Sequence, residues 1–172
     1  MPCSRKSLHV YAGAALAVLA LIAGASEASA RTARPARCHM LTEDLAKRLF
    51  DDWNRTLQIK PADPDKVTET YAPDAVLLPT FKDGPLIGRA EIRDYFVHFL
   101  EQQPIGTIDS RKVIAAGCNV GVAAGLYTFS VVDKGQRVNK PARYSYVYVY
   151  RSGRWLIAHH HSSARPEPGM PK

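Results

Sequence analysis

The stretch Arg143–Ala164, RYSYVYVYRSGRWLIAHHHSSA, decides the fold. A run of β-formers stops at Ser152-Gly153, where the backbone can take positive φ, and then restarts, which predicts two strands joined by a tight turn. Side chains alternate along a strand, so Tyr144, Tyr146, Tyr148 and Tyr150 share one face of the first arm, and Ser145, Val147 and Val149 share the other. Neither face is plainly polar. An antiparallel sheet with one wet side shows an apolar and polar alternation, so the second face is expected to meet protein too, a helix or another subunit. The reading is a curved sheet with a lined hollow on one side and a dimer contact on the other. The second arm ends in three histidines, and alternation sets His159 and His161 together with His160 opposite.

Upstream of the hairpin, two more strands are predicted, Thr107 to Ala116 and Val120 to Val132, and the long arm runs on to Arg151. Gly117-Cys118-Asn119 and Asp133-Lys134-Gly135 punctuate them. Gly121 and Gly125 inside the second strand are read as bends or bulges that let the sheet curl. The first half of the domain is helical. Thr42 caps a helix that opens with Glu43 and Asp44, and Leu45, Leu49, Trp53 and Leu57 recur four apart to about Gln58. Asp63-Pro64 starts a short second helix to about Tyr71, ended by Ala72-Pro73-Asp74. Ala75 to Leu78 and Pro85 to Ile87 read as a short hairpin around Lys82-Asp83-Gly84. Gly88 then releases a third helix, Arg89 to Glu101, with Ile92, Phe96 and Phe99 buried and Arg93 and Asp94 outward. The class is α+β: a cone-shaped, curved antiparallel sheet covered by three N-terminal helices.

The chain of 172 residues is one such domain with additions. Arg5 and Lys6, the apolar run Val10 to Ala23 and the small residues Ala28-Ser29-Ala30 predict a secretory signal peptide over residues 1–30. An exported protein with no stable membrane association after cleavage is therefore expected, periplasmic or secreted. Residues 31–40 read as a flexible arm, 41–166 as the domain and 167–172 as a disordered tail. The formal charge of +7 falls by one with the leader, and the remaining cations are scattered among acids. A nucleic-acid binder gathers its Lys and Arg on one face, so that class is excluded. Two cysteines remain, Cys38 and Cys118. In an oxidising compartment they are a candidate disulfide, the alternative being two free thiols.

The segments DPDKVTETYAPDAVLLP (63–79), LIGRAEIRDYF (86–96) and RSGRWLIAHHHSS (151–163) look like the bacterial relatives of the calcium/calmodulin-dependent protein kinase II association domain. The order of elements resembles the nuclear transport factor 2-like superfamily to which they belong. The resemblance spans about Leu41 to Pro166. It implies self-association as a homodimer or larger ring, and a conical pocket for a small molecule between sheet and helices. It implies neither kinase activity, since no glycine-rich loop, HRD or DFG is present, nor calmodulin binding, which the kinase carries outside this domain. In the kinase hub, the pocket resembles a small carboxylate site with arginines inside. Counted from Trp155, those positions hold Tyr146 and Ser162 here, and Arg143 replaces them only if a bulge turns it inward.

The candidate site follows from these placements. Trp53, Tyr71, Tyr146, His159, His161 and Arg143 are expected to line the hollow. His159 and His161, adjacent on one strand face, suit a general base with its partner or two metal ligands, or else simple hydrogen bonding at a strand end. No HExxH or CxxC supplies a third ligand, so neither metal nor cofactor is expected. Asp74 is the other catalytic candidate, a carboxylate near the mouth of a short strand, against the alternative of an ordinary turn aspartate. Three functions stay open: a non-catalytic binding module, an acid/base isomerase, dehydratase or cyclase, and a purely structural hub. An ionisable pair at the bottom of an open pocket favours the enzyme. A hollow plugged by Trp53 and tyrosines favours the hub.

Overall fold

The computed structural model describes residues 37–166. The expected signal peptide, most of the expected arm and the expected tail lie outside the described residues. No described helix is long and apolar enough to cross a membrane.

Helix α1, Glu43–Thr56, begins where the Thr42 hydroxyl accepts the Leu45 N–H at 3.2 Å. Its buried stripe is Ala46, Phe50 and Trp53, with Leu45 and Leu49 only partly covered, because a 3.6-residue period drifts off a strict four-residue spacing. Helix α2, Pro64–Thr68, has Asp63 accepting from the N–H groups of Asp65 and Lys66. It ends earlier than the sequence reading placed it, and Tyr71 opens strand β1, Tyr71–Leu78, instead. After β2, Leu86–Ile87, the chain turns through Gly88 at φ +76° into α3, Gly88–Phe99. Ile92, Phe96 and Phe99 are its buried face, and Arg93 reaches back to clamp Asp65 of α2 with two bonds of 2.6 and 3.2 Å.

Four long strands follow: β3, Ile105–Gly117; β4, Val120–Asp133; β5, Gln136–Arg151; and β6, Arg154–Ala164. The hairpin turns Lys134-Gly135 and Ser152-Gly153 have positive φ at both positions, the geometry whose twist matches paired strands. The sheet order is β2-β1-β6-β5-β4-β3. It is curved and unclosed, and one neighbour pair, β1 with β6, is parallel. The helices cover its concave side.

Strand β4 pairs with β5 without interruption from Val120 to Asp133, so Gly121 and Gly125 are not bulges. The extra residues lie on β3, at Asp109 and again between Ile114 and Gly117 where the strand faces Gly121, on β1 between Tyr71 and Val76, and on β6. The glycines answer close approach instead. A Cβ on Gly125 would stand 2.1 Å from the Ser110 carbonyl oxygen beside the Asp109 bulge, and one on Gly121 would stand 2.4 Å from Leu41 Cβ. Cys38 and Cys118 form a disulfide that ties residue 38 to the β3–β4 turn. There the Asn119 amide oxygen accepts the His39 N–H at 3.1 Å, and the His39 ring stacks on Tyr150 at 3.8 Å.

Candidate functional site

The concave floor is the inward row of β5, Tyr144, Tyr146 and Tyr148, all at most 4% exposed, which fulfils the reading of that arm. What meets it from β6 is decided by one residue. Val147 pairs with His159 but Tyr148 with Ile157, so Ala158 is an extra residue that resets the alternation. His160 consequently stands opposite Tyr146, inside, while His159 and His161 pair with Val147 and Ser145 on the convex face.

This corrects the expected lining. Trp53, Tyr71 and Tyr146 come together as read, but His159 is half-exposed and His161 exposed, both outside the hollow. Arg143 is exposed opposite Ser163, since the unbroken β4–β5 register gives it no bulge to turn on. Asp74 projects into solvent and bonds Arg151 at 2.7 Å.

His160 is 4% exposed. Its ring stacks on Tyr146 with centroids 4.1 Å apart, and the Trp53 indole meets it edge-on at 5.6 Å. Nδ1 shares a hydrogen bond of 2.9 Å with the Tyr71 hydroxyl. Burial, with smaller repulsion from His159 and His161, pushes His160 down to about 3. It is neutral at any ordinary pH. Burial likewise raises the phenols of Tyr71, Tyr146 and Tyr127 far above their usual range. On the far side of the hollow the Tyr127 hydroxyl donates to Ser162 Oγ, which also bonds Thr80 Oγ1. Three buried polar atoms, Trp53 Nε1, Tyr146 Oη and His160 Nε2, have no hydrogen-bond partner among the described residues. A void of about 20 Å³, the room of one water molecule, is lined by Trp53, Thr80, Tyr127, His160 and Ser162 together with apolar side chains.

The arrangement sets neutral donors and acceptors side by side, and burial moves His160, Tyr71, Tyr127 and Tyr146 away from neutrality. Among the described residues no three His, Cys, Asp or Glu side chains are grouped to hold a metal. Sequence reasoning missed His160, Tyr127 and Thr80. Nothing in the letters Ile157-Ala158-His159 marks the bulge that brings the first of them in.

A curved, unclosed sheet with helices on its concave side and aromatic side chains filling the cone defines a nuclear transport factor 2-like domain. The family profile described as calcium/calmodulin dependent protein kinase II association domain matches residues 42–166, and the chain belongs to that family. A solved Xanthomonas campestris structure assigned to the same association domain is 43% identical, with a TM-score of 0.69, covering 74% of this chain and 91% of its own. A nuclear transport factor 2-like protein of unknown function from Pseudomonas putida is 20% identical over 76% of this chain and 93% of its own, with a TM-score of 0.61. One from Salmonella enterica is 19% identical over 73% and 92%, with a TM-score of 0.62. The last two show the fold alone. Among curated proteins none matches.

Proposed function

We propose that this chain is an exported, self-associating domain whose cone is packing rather than reaction chamber, and whose convex sheet face receives a second copy. One observation carries the reading. Ile87, Val76, His159, Val147, Val122 and Ile114 are consecutive cross-strand partners, one from each strand, so a single ladder crosses the whole sheet. It lies on the face away from the helices. Ile87 and Ile114 at its ends are 61% and 56% exposed, and His159 is its only polar member. A continuous apolar stripe of that length on open sheet is what a two-fold interface covers, each copy laying the same stripe on the other. Family membership supports the same occupant, because association domains associate.

The filled hollow supports the hub over the enzyme. A base pushed down to about 3 and phenols pushed up by burial are mismatched to proton transfer at neutral pH. Export rests on the reading of residues 1–30, and the Cys38–Cys118 disulfide suits an oxidising compartment. Native mass spectrometry of periplasmically expressed protein tests both parts. The expected species is a multiple of a chain beginning at Arg31, and Val147→Lys, at the centre of the ladder, should give monomer with an unchanged circular dichroism spectrum. A monomeric parent, or a variant that still associates, would overturn the interface.

A further inference from the structure

The cone is closed inside, but its mouth is not. A groove of about 480 Å³ opens there, floored by Phe129 of β4 and Ala142 of β5, and walled by Phe81 on the loop after β1. That volume falls within the roughly 300–1,000 Å³ of small-molecule sites, and an apolar floor with few polar groups is their usual lining. Phe81 is 54% exposed, a large ring held against the groove rather than buried under it.

The groove's chemistry is set by Lys140. Inward positions along β5 alternate as Val138, Lys140, Ala142, Tyr144, Tyr146 and Tyr148, so an ammonium interrupts an otherwise apolar and aromatic row. Its nearest carboxylate among the described residues, Asp133, is 3.6 Å away, and both side chains are more than 40% exposed. At that distance the contact is Coulombic and weak, which leaves the ammonium donors free for a better-placed acceptor. The other cation at the groove, Arg165, is already committed: it pairs with Asp109 and donates to the carbonyl oxygens of Ala142 and Tyr127. It shapes the wall. At the deep end Thr80 is likewise satisfied by Ser162. Among the described residues one free cation stands at the rim of this apolar cleft, which matches a ligand with a planar hydrocarbon body and a single negative group.

We propose that this mouth groove binds small, flat organic anions, with Lys140 holding the charge and Phe81 and Phe129 the ring. The proposal stands whether or not the convex face associates, since Lys140 lies on the opposite side of the sheet. The test titrates the full chain with 2-naphthoate and with its neutral counterpart 2-naphthamide, following amide shifts by NMR. The expected result is saturable naphthoate binding with shifts centred on Phe129, Lys140 and Ala142, and at least fivefold weaker binding of the amide. Lys140→Met should abolish that preference with the melting temperature unchanged, and Phe81→Ala should weaken both probes alike. Equal affinity for acid and amide, a preference that survives Lys140→Met, shifts centred elsewhere, or no saturation would each overturn it.

Discussion

Acidification should destabilise this domain through His160. An unfolded chain protonates a histidine near 6.5, whereas in the fold burial pushes this one down to about 3. Between those values the unfolded state binds the extra proton, so stability is full above pH 6.5 and is lost as pH falls toward 3. Each unit of pH is worth about 1.4 kcal/mol at full slope. Linkage then gives a loss of about 2 kcal/mol at pH 5 and about 3 kcal/mol at pH 4 from this one side chain. The charges that act on it, His159 and His161, both oppose protonation. The assay is urea unfolding at pH 7.5, 6, 5 and 4 for the parent and for His160→Gln, which cannot titrate but still offers Tyr71 a partner. At pH 7.5 the variant should be the less stable by about 1–2 kcal/mol, having lost the stack on Tyr146. By pH 4 the order should reverse. The other titratable side chains are common to both proteins, so the difference between the two profiles reports on position 160. Parallel profiles for the two proteins would refute the neutral, buried assignment of His160.

The disulfide closes a loop with a sequence separation of 80, so replacing Cys38 and Cys118 by serine should cost up to about 4–5 kcal/mol by chain entropy, read as a shifted urea midpoint. An unmoved midpoint would mean the denatured chain is not constrained by that link. Gly125→Ala puts a methyl where the Ser110 carbonyl oxygen stands, 2.1 Å from an ideal Cβ. Backbone must move, and a loss of about 2 kcal/mol or more is expected in a thermal melt; a neutral result would show that the Asp109 bulge yields cheaply.

Much of the architecture was legible because it is periodic. The tyrosine row of β5 alternates over seven residues, the positive-φ turns name themselves, and Thr42 and Asp63 announce their helices. The site was less legible because it depends on a parity that one residue can invert. His159 and His161 share a face, as alternation requires, but the face they share is the convex one once Ala158 is spent in the bulge. Arg143 failed for the converse reason, since it needed a bulge in a register that has none. The glycines of β4 were legible as special positions but not as to cause. Ser110 and Leu41 crowd them from parts of the chain 15 and 80 residues away, separations that no local pattern encodes.

The polar groups inside the cone have a structural logic of their own. Strand β1 joins the sheet by parallel pairing with β6, about 80 residues later in sequence, and the register between Tyr71 and Val76 is broken. Backbone bonds alone hold such an insertion weakly, because a slip of one residue would turn Leu77 outward and Val76 inward. Two side-chain bonds fix it at its ends. Tyr71, the first residue of β1, reaches His160 Nδ1, and Thr80, just past its last, reaches Ser162. Arg89 of α3 adds a bidentate clamp on the Tyr71 carbonyl oxygen at 2.9 and 2.6 Å. Buried hydrogen bonds of this kind add little net stability, yet leaving any of them unmade in a misregistered strand costs the full desolvation of the groups involved. On this argument the histidine and serine of β6 are kept inside the cone as register keys.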